Sequence, residues 1–387
     1  MKSPCQRRSP GLKWHMLPRR RDARITCVSD ENRPRIGTVG CAFPRNYLPQ
    51  SEIIQLLSKH LCENWEEGDV ARRRLFNLLR TAQVEGRYLA LSVPEYLELT
   101  SFAKANDTWV KVGIELAQSA ARSALSNCNI SPRKIDHVFF VTTTGIATPS
   151  LDARLVNRLG LRPDVKRTPI FGLGCAAGAA AVARAADYLK AYPEEIALVV
   201  SVEVCSLTLQ RSDASMANLI AATLFGDGAA SVVIFGAARR EHQGAAIVGS
   251  GSAFFHDTER AMGWDIVDSG FKVILSSEIP YLVRDRLRPE VDFFLTRFGL
   301  TRRSIRHWIV HPGGPRILEA VCDALEVNAS AVERSWRVLR KVGNISSASV
   351  LLVLGDLLQS GEAATGDYGV MVAMGPGFCA ELLLLKW

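Results

Sequence analysis

The chain has 387 residues and a mass of 42.4 kDa, enough for about two to three units of ordinary domain size. Hydrophobic residues make up 48% and charged residues 22%, with a mean hydropathy of +0.07, which excludes disordered, collagen-like and coiled-coil proteins. The net charge is +8, but residues 1–29 contribute +7 of it, which leaves +1 for the other 358 residues. A body this close to neutral argues against nucleic acid as a partner.

The basic residues define an N-terminal segment, residues 1–34, that we predict to be a flexible tail. It contains Pro4, Pro10 and Pro18 and lacks the apolar core of a secretory signal. Further along, the most apolar stretch, residues 196–209, is interrupted by Glu203 and is too short to cross a membrane. We therefore expect a cytoplasmic protein without a membrane span.

Nine cysteines are scattered along the chain without a Cys-x-x-Cys pair. Their odd number and wide spacing favour neither a disulfide framework nor a zinc site, so we expect reduced thiols and no bound metal. A cysteine with a chemical role must then be recognised by its surroundings.

Short apolar runs alternate with helical stretches, a pattern typical of α/β proteins with buried strands. In chain order the pattern predicts helix 109–126, strand 137–142, helix 176–191, strands 196–204, 230–235, 245–249 and 305–310, helices 315–325 and 347–359, and strands 368–374 and 380–385.

A glycine-led segment before a strand occurs twice, at residues 226–228 and at residues 366–367. Upstream of each copy, a turn of small residues opens a helix. We therefore predict two similar halves, residues 35–240 and 241–387, produced by a divergent duplication. Two such α/β halves place a binding site where their strand ends meet.

Cys175 lies between small residues at the start of an alanine-rich helix. Because the unpaired N–H groups and the macrodipole of a helix N-terminus stabilise a thiolate, we predict a nucleophile with a lowered pKa, paired with an imidazolium. The small side chains along this helix also predict burial on more than one side. The alternative is a cysteine that only packs in a crowded turn.

Two further turns carry candidate catalytic side chains. His311 follows a buried strand, where α/β proteins often place active-site residues, and Asn344 lies in a glycine-led turn before an apolar helix. Taken alone, each has an ordinary explanation as a structural histidine or as a helix cap. Together with Cys175, they provide a nucleophile and two hydrogen-bond donors for one oxygen.

These motifs, in this order, resemble the type III polyketide synthases, the chalcone synthase-like branch of the thiolase fold. The resemblance covers residues 35–387 and includes the segments 224–230 and 375–378. It implies an α/β, thiolase-like fold with αβαβα layers built from two similar halves, a homodimer, and Cys175, His311 and Asn344 as catalytic residues. Residues 254–270 and 381–387 look more like bacterial alkylpyrone and alkylresorcinol synthases than like plant enzymes.

The resemblance also implies a substrate pocket that differs from the plant pocket. One of the two phenylalanines that gate the plant site matches Phe225, but Val273 stands at the other position. Cys205 stands where plant enzymes usually have threonine, and Trp264 lies near a position that is small in them. The other predicted pocket residues are Thr143, Gly375, Pro376 and Gly377.

The lysine-rich segment that binds CoA in this family is not reproduced cleanly. We predict that arginines contact the CoA phosphates instead, and a solvated helix face is the alternative for them. The predicted contacts are Arg80, Arg87 and Arg316, with Arg72, Arg73 and Arg74 as nearby candidates.

These expectations combine into one function: iterative, decarboxylative condensation of malonyl-CoA onto a fatty acyl-CoA starter, with CoA thioesters as substrates and no further cofactor. Closure to a pyrone and closure to a resorcinol-type ring both remain open. The main alternative is a ketoacyl-carrier-protein synthase III-like enzyme, which would perform a single condensation on a carrier protein. A second alternative is an inactive family member that only binds acyl groups.

Overall fold

The computed structural model describes residues 32–60, 81–242 and 244–387, together with residues 73 and 77. The strands are β1 (Arg35–Ala42), β2 (Asn46–Pro49), β3 (Gly86–Leu89), β4 (His137–Val141), β5 (Lys166–Ile170), β6 (Ile196–Val204), β7 (Asp227–Phe235), β8 (Ala246–Phe254), β9 (Met262–Val267), β10 (Gly270–Leu275), β11 (Ile305–Val310), β12 (Tyr368–Gly375) and β13 (Cys379–Lys386). The helices are α1 (Gln50–His60), α2 (Val93–Glu98), α3 (Phe102–Asn127), α4 (Leu151–Leu159), α5 (Ala177–Ala191), α6 (Met216–Leu224), α7 (Ile279–Thr296), α8 (Pro315–Leu325), α9 (Glu333–Val342) and α10 (Ser346–Ser360).

A mixed sheet of nine strands organises the molecule, in the order β11-β12-β13-β8-β1-β7-β6-β4-β5. The two halves of this sheet meet at one residue pair, Arg35 of β1 with Ala246 of β8. The antiparallel pairs β2–β3 and β9–β10 lie outside the sheet. The sheet is thus two smaller sheets that join at a narrow seam.

The strand directions repeat between the halves. In the first half β4 is parallel to β6, and β6 is antiparallel to β7; in the second half β11 is parallel to β12, and β12 is antiparallel to β13. This repeat relates β7 to β13. The glycine-led segments at 226 and 366 begin β7 and β12 instead, so the predicted equivalence of those two segments is wrong.

Five layers follow from which helices cover which face. Helices α5 and α10 pack in the middle against strands of both halves. Helices α3 and α4 cover the outer face of the first half, and α7 and α8 cover the outer face of the second half. This is the αβαβα arrangement that the resemblance implied.

The middle layer explains the alanine-rich helix. Every residue of α5 from 177 to 183 is buried, as predicted from its small side chains. A Cβ atom on Gly178 would lie 2.1 Å from the carbonyl oxygen of Ser347, so α5 and α10 approach each other at backbone distance. Larger residues at these positions would force the two central helices apart.

The predicted central elements agree closely with the structure, and the differences lie at element ends. β6 and α8 have the predicted bounds. Helix α3 begins seven residues earlier than predicted, because Ser101 caps it by accepting the N–H of Lys104. Strand β8 continues to Phe254, because it pairs with β13 along its whole length.

The sequence also predicts a flexible N-terminal tail and the absence of a membrane span. The predicted flexible tail lies outside the described residues, apart from residues 32–34. Among the described residues, no helix is long and apolar enough to cross a membrane.

Candidate active site

Cys175 lies in a single 3₁₀ turn, Gly174–Ala176, that leads directly into α5. Gly174 has φ +48°, and a Cβ atom there would lie 2.6 Å from Cδ of Pro376. A Cβ atom on Gly375 would lie 2.5 Å from the carbonyl oxygen of Leu173. The predicted pocket segment 375–377 therefore lies directly on the cysteine turn, and glycine is needed on both sides of that contact.

The Asn344 turn reaches Cys175 through one residue. The Sγ atom of Cys175 lies 3.5 Å from Oγ of Ser346, and the N–H of Ser346 donates to Oδ1 of Asn344 at 2.8 Å. Because Oδ1 is fixed as an acceptor, the other amide atom, Nδ2, must be the donor. Nδ2 donates to the carbonyl oxygen of Gly313 at 3.3 Å and has a second hydrogen to offer.

His311 immediately follows β11 and is held there by its backbone N–H, which donates to the carbonyl oxygen of Val372 at 2.8 Å. Its side chain is 2% exposed. Neither ring nitrogen has a hydrogen-bond partner within the described part of the chain. Burying an imidazole whose nitrogens have no hydrogen-bond partner costs free energy, unless a bound ligand supplies the missing partner.

Phe225 lies beside Asn344. The two residues form an isolated parallel bridge, in which the N–H of Asn344 donates to Leu224 at 2.8 Å and the N–H of Gly226 donates to Asn344 at 3.0 Å. The structure thus brings Cys175, His311, Asn344 and Phe225 to one place, as predicted.

Burial sets the protonation of the two titratable groups here. It raises the pKa of the Cys175 thiol to about 12 and lowers the pKa of His311 to about 3. Burial thus favours the uncharged forms of both groups in the free enzyme, whereas the resting thiolate–imidazolium pair expected from the sequence stays a prediction. Desolvation is the largest cause of the shift for both groups.

A buried carboxyl group, Glu203, lies behind the site and was not predicted to belong to it. Its Oε2 atom accepts the N–H of Thr143 and the hydroxyl of Thr144, each at 3.0 Å, and its Oε1 atom accepts the hydroxyl of Ser347. Burial raises the pKa of Glu203 to about 7. A charged residue inside an otherwise apolar strand was the signal in the sequence.

A cavity of about 740 Å³ opens beside these turns. Four of the predicted pocket residues line it: Cys205, Phe225, Trp264 and Val273. Most of the wall is apolar and comes from α1, α2, α6 and the segment after β6. The apolar side chains include Leu48, Ile53, Leu56, Leu97, Leu99 and Ala222.

Cys205 connects the cavity to the cysteine turn. Burial is the main cause that raises the pKa of Cys205 well above its usual value, and the nearby Glu203 and Asp227 add to it. Thr143, also predicted as a pocket residue, does not line the cavity, but Nε1 of the cavity residue Trp264 donates to its Oγ1 atom at 3.3 Å. Trp264 and Val273 are paired across the β9–β10 hairpin.

The predicted CoA contacts separate into three cases. Arg80 lies outside the described residues, as do Arg72 and Arg74. Arg316 is exposed in the first turn of α8, four residues after Pro312 along the chain. Arg87 is only 2% exposed and donates to the carbonyl oxygen of Phe225 at 2.8 Å, so its position does not favour contact with a solvated phosphate.

The arrangement combines an enclosed thiol, a neutral imidazole and an oriented amide next to an apolar cavity. An imidazole can accept the thiol proton, and an imidazole N–H and an amide N–H can bind an oxyanion. Within the described ranges, no group of three His, Cys, Asp or Glu side chains is placed to bind a metal ion.

Comparison with known proteins identifies the family. The models for the N-terminal and C-terminal domains of chalcone and stilbene synthases match residues 24–238 and 246–387. A 1,3,6,8-tetrahydroxynaphthalene synthase of Streptomyces peucetius subsp. caesius is 45% identical over 91% of this chain and 93% of its own length. A putative chalcone synthase of Bacillus subtilis (strain 168) is 38% identical over 91% of this chain and 97% of its own length.

The fold agrees with a solved structure. The crystal structure of 1,3,6,8-tetrahydroxynaphthalene synthase from Streptomyces coelicolor A3(2), a bacterial type III polyketide synthase, superposes with a TM-score of 0.84 at 30% identity, covering 91% of this chain and 99% of that one. The chain therefore belongs to the chalcone and stilbene synthase family and is a type III polyketide synthase, a CoA-dependent condensing acyltransferase.

Proposed function

We propose that the enzyme extends an acyl-CoA starter with an apolar chain by several malonyl units and releases an alkylpyrone or an alkylresorcinol-type product. The observation that carries this proposal is the apolar cavity of about 740 Å³ beside Cys205 and Phe225. A fatty acyl chain gains free energy when it leaves water for such a wall, at roughly 25 cal/mol per Å² of apolar surface buried. The cavity also leaves room for the growing chain.

The first step is transfer of the acyl group to Cys175. The neutral imidazole of His311 takes the thiol proton as sulfur attacks the thioester carbonyl, and CoA leaves as the new thioester forms. Burial raises the pKa of Cys175 and lowers the pKa of His311, which favours a proton transfer that accompanies the attack on the thioester.

The second step is decarboxylation of malonyl-CoA. Loss of CO₂ leaves an enolate whose oxygen accepts hydrogen bonds from His311 and from Nδ2 of Asn344. Phe225 borders this position and withholds solvation from the carboxylate, which favours its departure. These two hydrogen-bond donors stabilise the negative charge on the enolate oxygen. The proposed reaction therefore uses CoA thioesters and no further cofactor.

The third step is attack of the enolate carbon on the acyl thioester of Cys175, which forms the new carbon–carbon bond and releases the thiolate. Repeated loading and extension give a poly-β-keto chain. Lactonisation gives a pyrone, and carbon–carbon closure gives a resorcinol-type ring. The apolar tail of the starter remains in the cavity during these steps.

A second candidate rests on the Streptomyces peucetius relative, a 1,3,6,8-tetrahydroxynaphthalene synthase at 45% identity. That product bears no alkyl chain. An enzyme of this kind would use the cavity to fold a polyketide rather than to hold an apolar tail.

The experiment is incubation of the purified protein with radiolabelled malonyl-CoA and a series of acyl-CoA starters, with mass spectrometry of the products. We expect product masses that rise with the starter by the mass of its added CH₂ groups. A tetrahydroxynaphthalene whose mass ignores the starter supports the second candidate. One extension that requires a carrier protein would instead indicate a ketoacyl-carrier-protein synthase III-like reaction, and absence of CO₂ release would indicate an inactive member.

We further propose a homodimer formed at the free edge of the sheet. Strand β5 ends the sheet and has exposed side chains, and the apolar residues Ile146 and Phe171 nearby are 46% and 53% exposed. An unpaired edge flanked by apolar side chains favours pairing with a second copy. Light scattering after gel filtration should give twice the mass of the chain.

Two remaining proposals concern substrate access and location. Arg316, exposed after the His311 segment, is our candidate for a CoA-phosphate contact, and Arg80 stays a prediction from the sequence. We place the enzyme in the cytoplasm, because its CoA thioester substrates are intracellular metabolites.

A further inference from the structure

Arg87 lies between the cavity and two turns of the active site. It belongs to β3, which pairs only with the short strand β2 among the described strands and lies outside the central sheet. Its side chain is one of the largest in the molecule to be almost completely enclosed, with 2% of its surface exposed. An enclosed guanidinium is costly unless its charge and its donors are used.

The stem of Arg87 fills the space between the two turns. A Cβ atom on Gly343 would lie 2.9 Å from Cδ of Arg87, and a Cβ atom on Gly226 would lie 3.4 Å from its Cβ. Gly343 immediately precedes Asn344, and Gly226 immediately follows Phe225. The aliphatic part of Arg87 therefore packs directly against the backbone that carries both residues.

The guanidinium group holds one of these turns by a hydrogen bond. Nη1 donates to the carbonyl oxygen of Phe225 at 2.8 Å, and the bridge between Phe225 and Asn344 transmits that constraint to the amide. Burial lowers the pKa of Arg87 to about 10, and the nearby Asp227 acts in the opposite direction, so the guanidinium stays cationic at neutral pH. Nε of Arg87 has no hydrogen-bond partner among the residues that the structure describes.

We propose that Arg87 is a positioning residue for decarboxylation, acting through Phe225 and Asn344. Cys175 lies one residue further along this chain of contacts, beyond Ser346, and its own turn is packed against segment 375–377, so acyl loading should depend on Arg87 less. The inference rests on the proposed function only in that malonyl-CoA is decarboxylated at Asn344 and Phe225.

Two variants separate the parts of this role. Arg87→Met keeps most of the stem and removes the charge and the hydrogen bond, and Arg87→Lys restores a charge and a donor. The matched control is Arg302→Met, because Arg302 is a partly buried arginine paired with Asp292 and Glu326, and it precedes the start of β11 whereas His311 follows the end of that strand. CO₂ release from malonyl-CoA, acylation of Cys175 followed by intact-protein mass spectrometry, and the melting temperature are measured for each.

We expect Arg87→Met to slow CO₂ release about tenfold or more, the size of effect of one hydrogen bond to a charged group, while acylation stays within about twofold. Arg87→Lys should recover most of the CO₂ release. Arg302→Met should lower the melting temperature without changing the ratio of the two rates.

Equal losses in both half-reactions, or no loss in either, would overturn the proposal, because a merely structural arginine cannot separate them. If Arg87→Met does not yield folded protein, the ratio in Arg87→Lys and Arg87→Gln decides in the same way. Wild-type protein that releases no CO₂ would overturn the proposed function itself, whereas normal release in the wild type without a split in the variants overturns only the role of Arg87.

Discussion

The active-site turns and the cavity wall are built in different ways. The turns at Cys175, His311 and Asn344 adjoin the buried elements α5, β11 and α10, and they are joined by hydrogen bonds of the Asn344 side chain and by the contact of Cys175 with Ser346. The cavity wall comes from peripheral elements, namely α1, α2, the segment after β6 and the β9–β10 hairpin.

This difference implies a division of roles. Changes in the turns should affect the chemical half-reactions for every substrate. Changes in the cavity wall should alter which chain is accepted and leave the half-reactions intact, because the peripheral elements can vary without disturbing the central layer. Variants in the active-site turns and variants in the cavity wall should therefore have different effects.

The largest effect is expected for Cys175→Ala. No condensation product should form, because no thioester can be made, while slow CO₂ release from malonyl-CoA should persist at His311 and Asn344. Product analysis and a CO₂ assay measure the two activities. Cys322→Ala, a half-buried cysteine on α8, is the control and should leave both unchanged. Full-length product from the Cys175 variant would refute the nucleophile.

Asn344→Ala should slow decarboxylation by roughly 10²- to 10³-fold, the usual effect of removing one oxyanion donor, and should largely spare acyl loading. Because Oδ1 of Asn344 also holds the N–H of Ser346, Asn344→Asp is the informative companion, since it keeps that acceptor and removes the donor. If the aspartate variant decarboxylates normally, the amide serves only as a turn cap.

The third prediction concerns the pH dependence of Cys175. Only the thiolate reacts with iodoacetamide, and burial raises the thiol pKa to about 12, so the thiolate fraction should rise about tenfold per pH unit. The alkylation rate of the free enzyme should therefore increase about a hundredfold from pH 6 to pH 8.

The control for this experiment is His311→Ala, which should leave that profile nearly unchanged, because burial lowers the pKa of His311 and disfavours its charged form. Rapid alkylation of the wild type already at pH 6, lost in the His311 variant, would show a resting thiolate–imidazolium pair after all.

The cavity is tested by Ala222→Phe, which places a large side chain in its apolar part. Long acyl-CoA starters should be used about tenfold less well, since the buried surface that favours them is lost, and short starters should be unaffected. Competition between a long and a short starter, read by mass spectrometry, measures the shift. An equal loss for both starters would mean that α6 supports the active site rather than the chain.

The central elements could be predicted from sequence because uniform apolar runs and an alanine-rich helix have few alternative readings. The three site turns could also be predicted, since each combines glycine with a reactive side chain next to such an element. The cavity wall could not, because α1, α2 and the β9–β10 hairpin are short or amphipathic and gain their role only from tertiary packing.

Charge states were the other limit. The sequence placed Cys175 at a helix N-terminus and predicted a thiolate, but it could not show that segment 375–377 closes over the turn. Arg87 was predicted to contact CoA because the sequence could not show that the fold buries its side chain. Glu203 was visible as a charge in an apolar strand, yet its partners lie 59 to 144 residues away along the chain.

The smallest effect is expected for Glu203, whose buried carboxyl group lies behind the active site. Burial raises its pKa in the folded protein to about 7, above the ordinary value of 4.5, so the folded state binds the proton more tightly than the unfolded state. The resulting stabilisation is fully present below pH 4.5 and is lost as the pH rises through about 7. Glutamine cannot titrate, so the wild type should lose a few degrees of melting temperature relative to Glu203→Gln between pH 5 and pH 8.

The melting temperatures of both proteins should therefore be compared across this pH range, with Glu259→Gln, an exposed residue, as the control that shows no such difference. The raised pKa of Asp227 is common to all three proteins and cancels in the comparison. If the wild type instead gains stability relative to Glu203→Gln as the pH rises, Glu203 is an ionised carboxylate held by Thr143, Thr144 and Ser347. In that case the hydrogen bonds to Glu203, rather than its desolvation, decide its protonation state. The same reasoning would then apply to the buried thiol of Cys175, and its uncharged resting state would have to be revised.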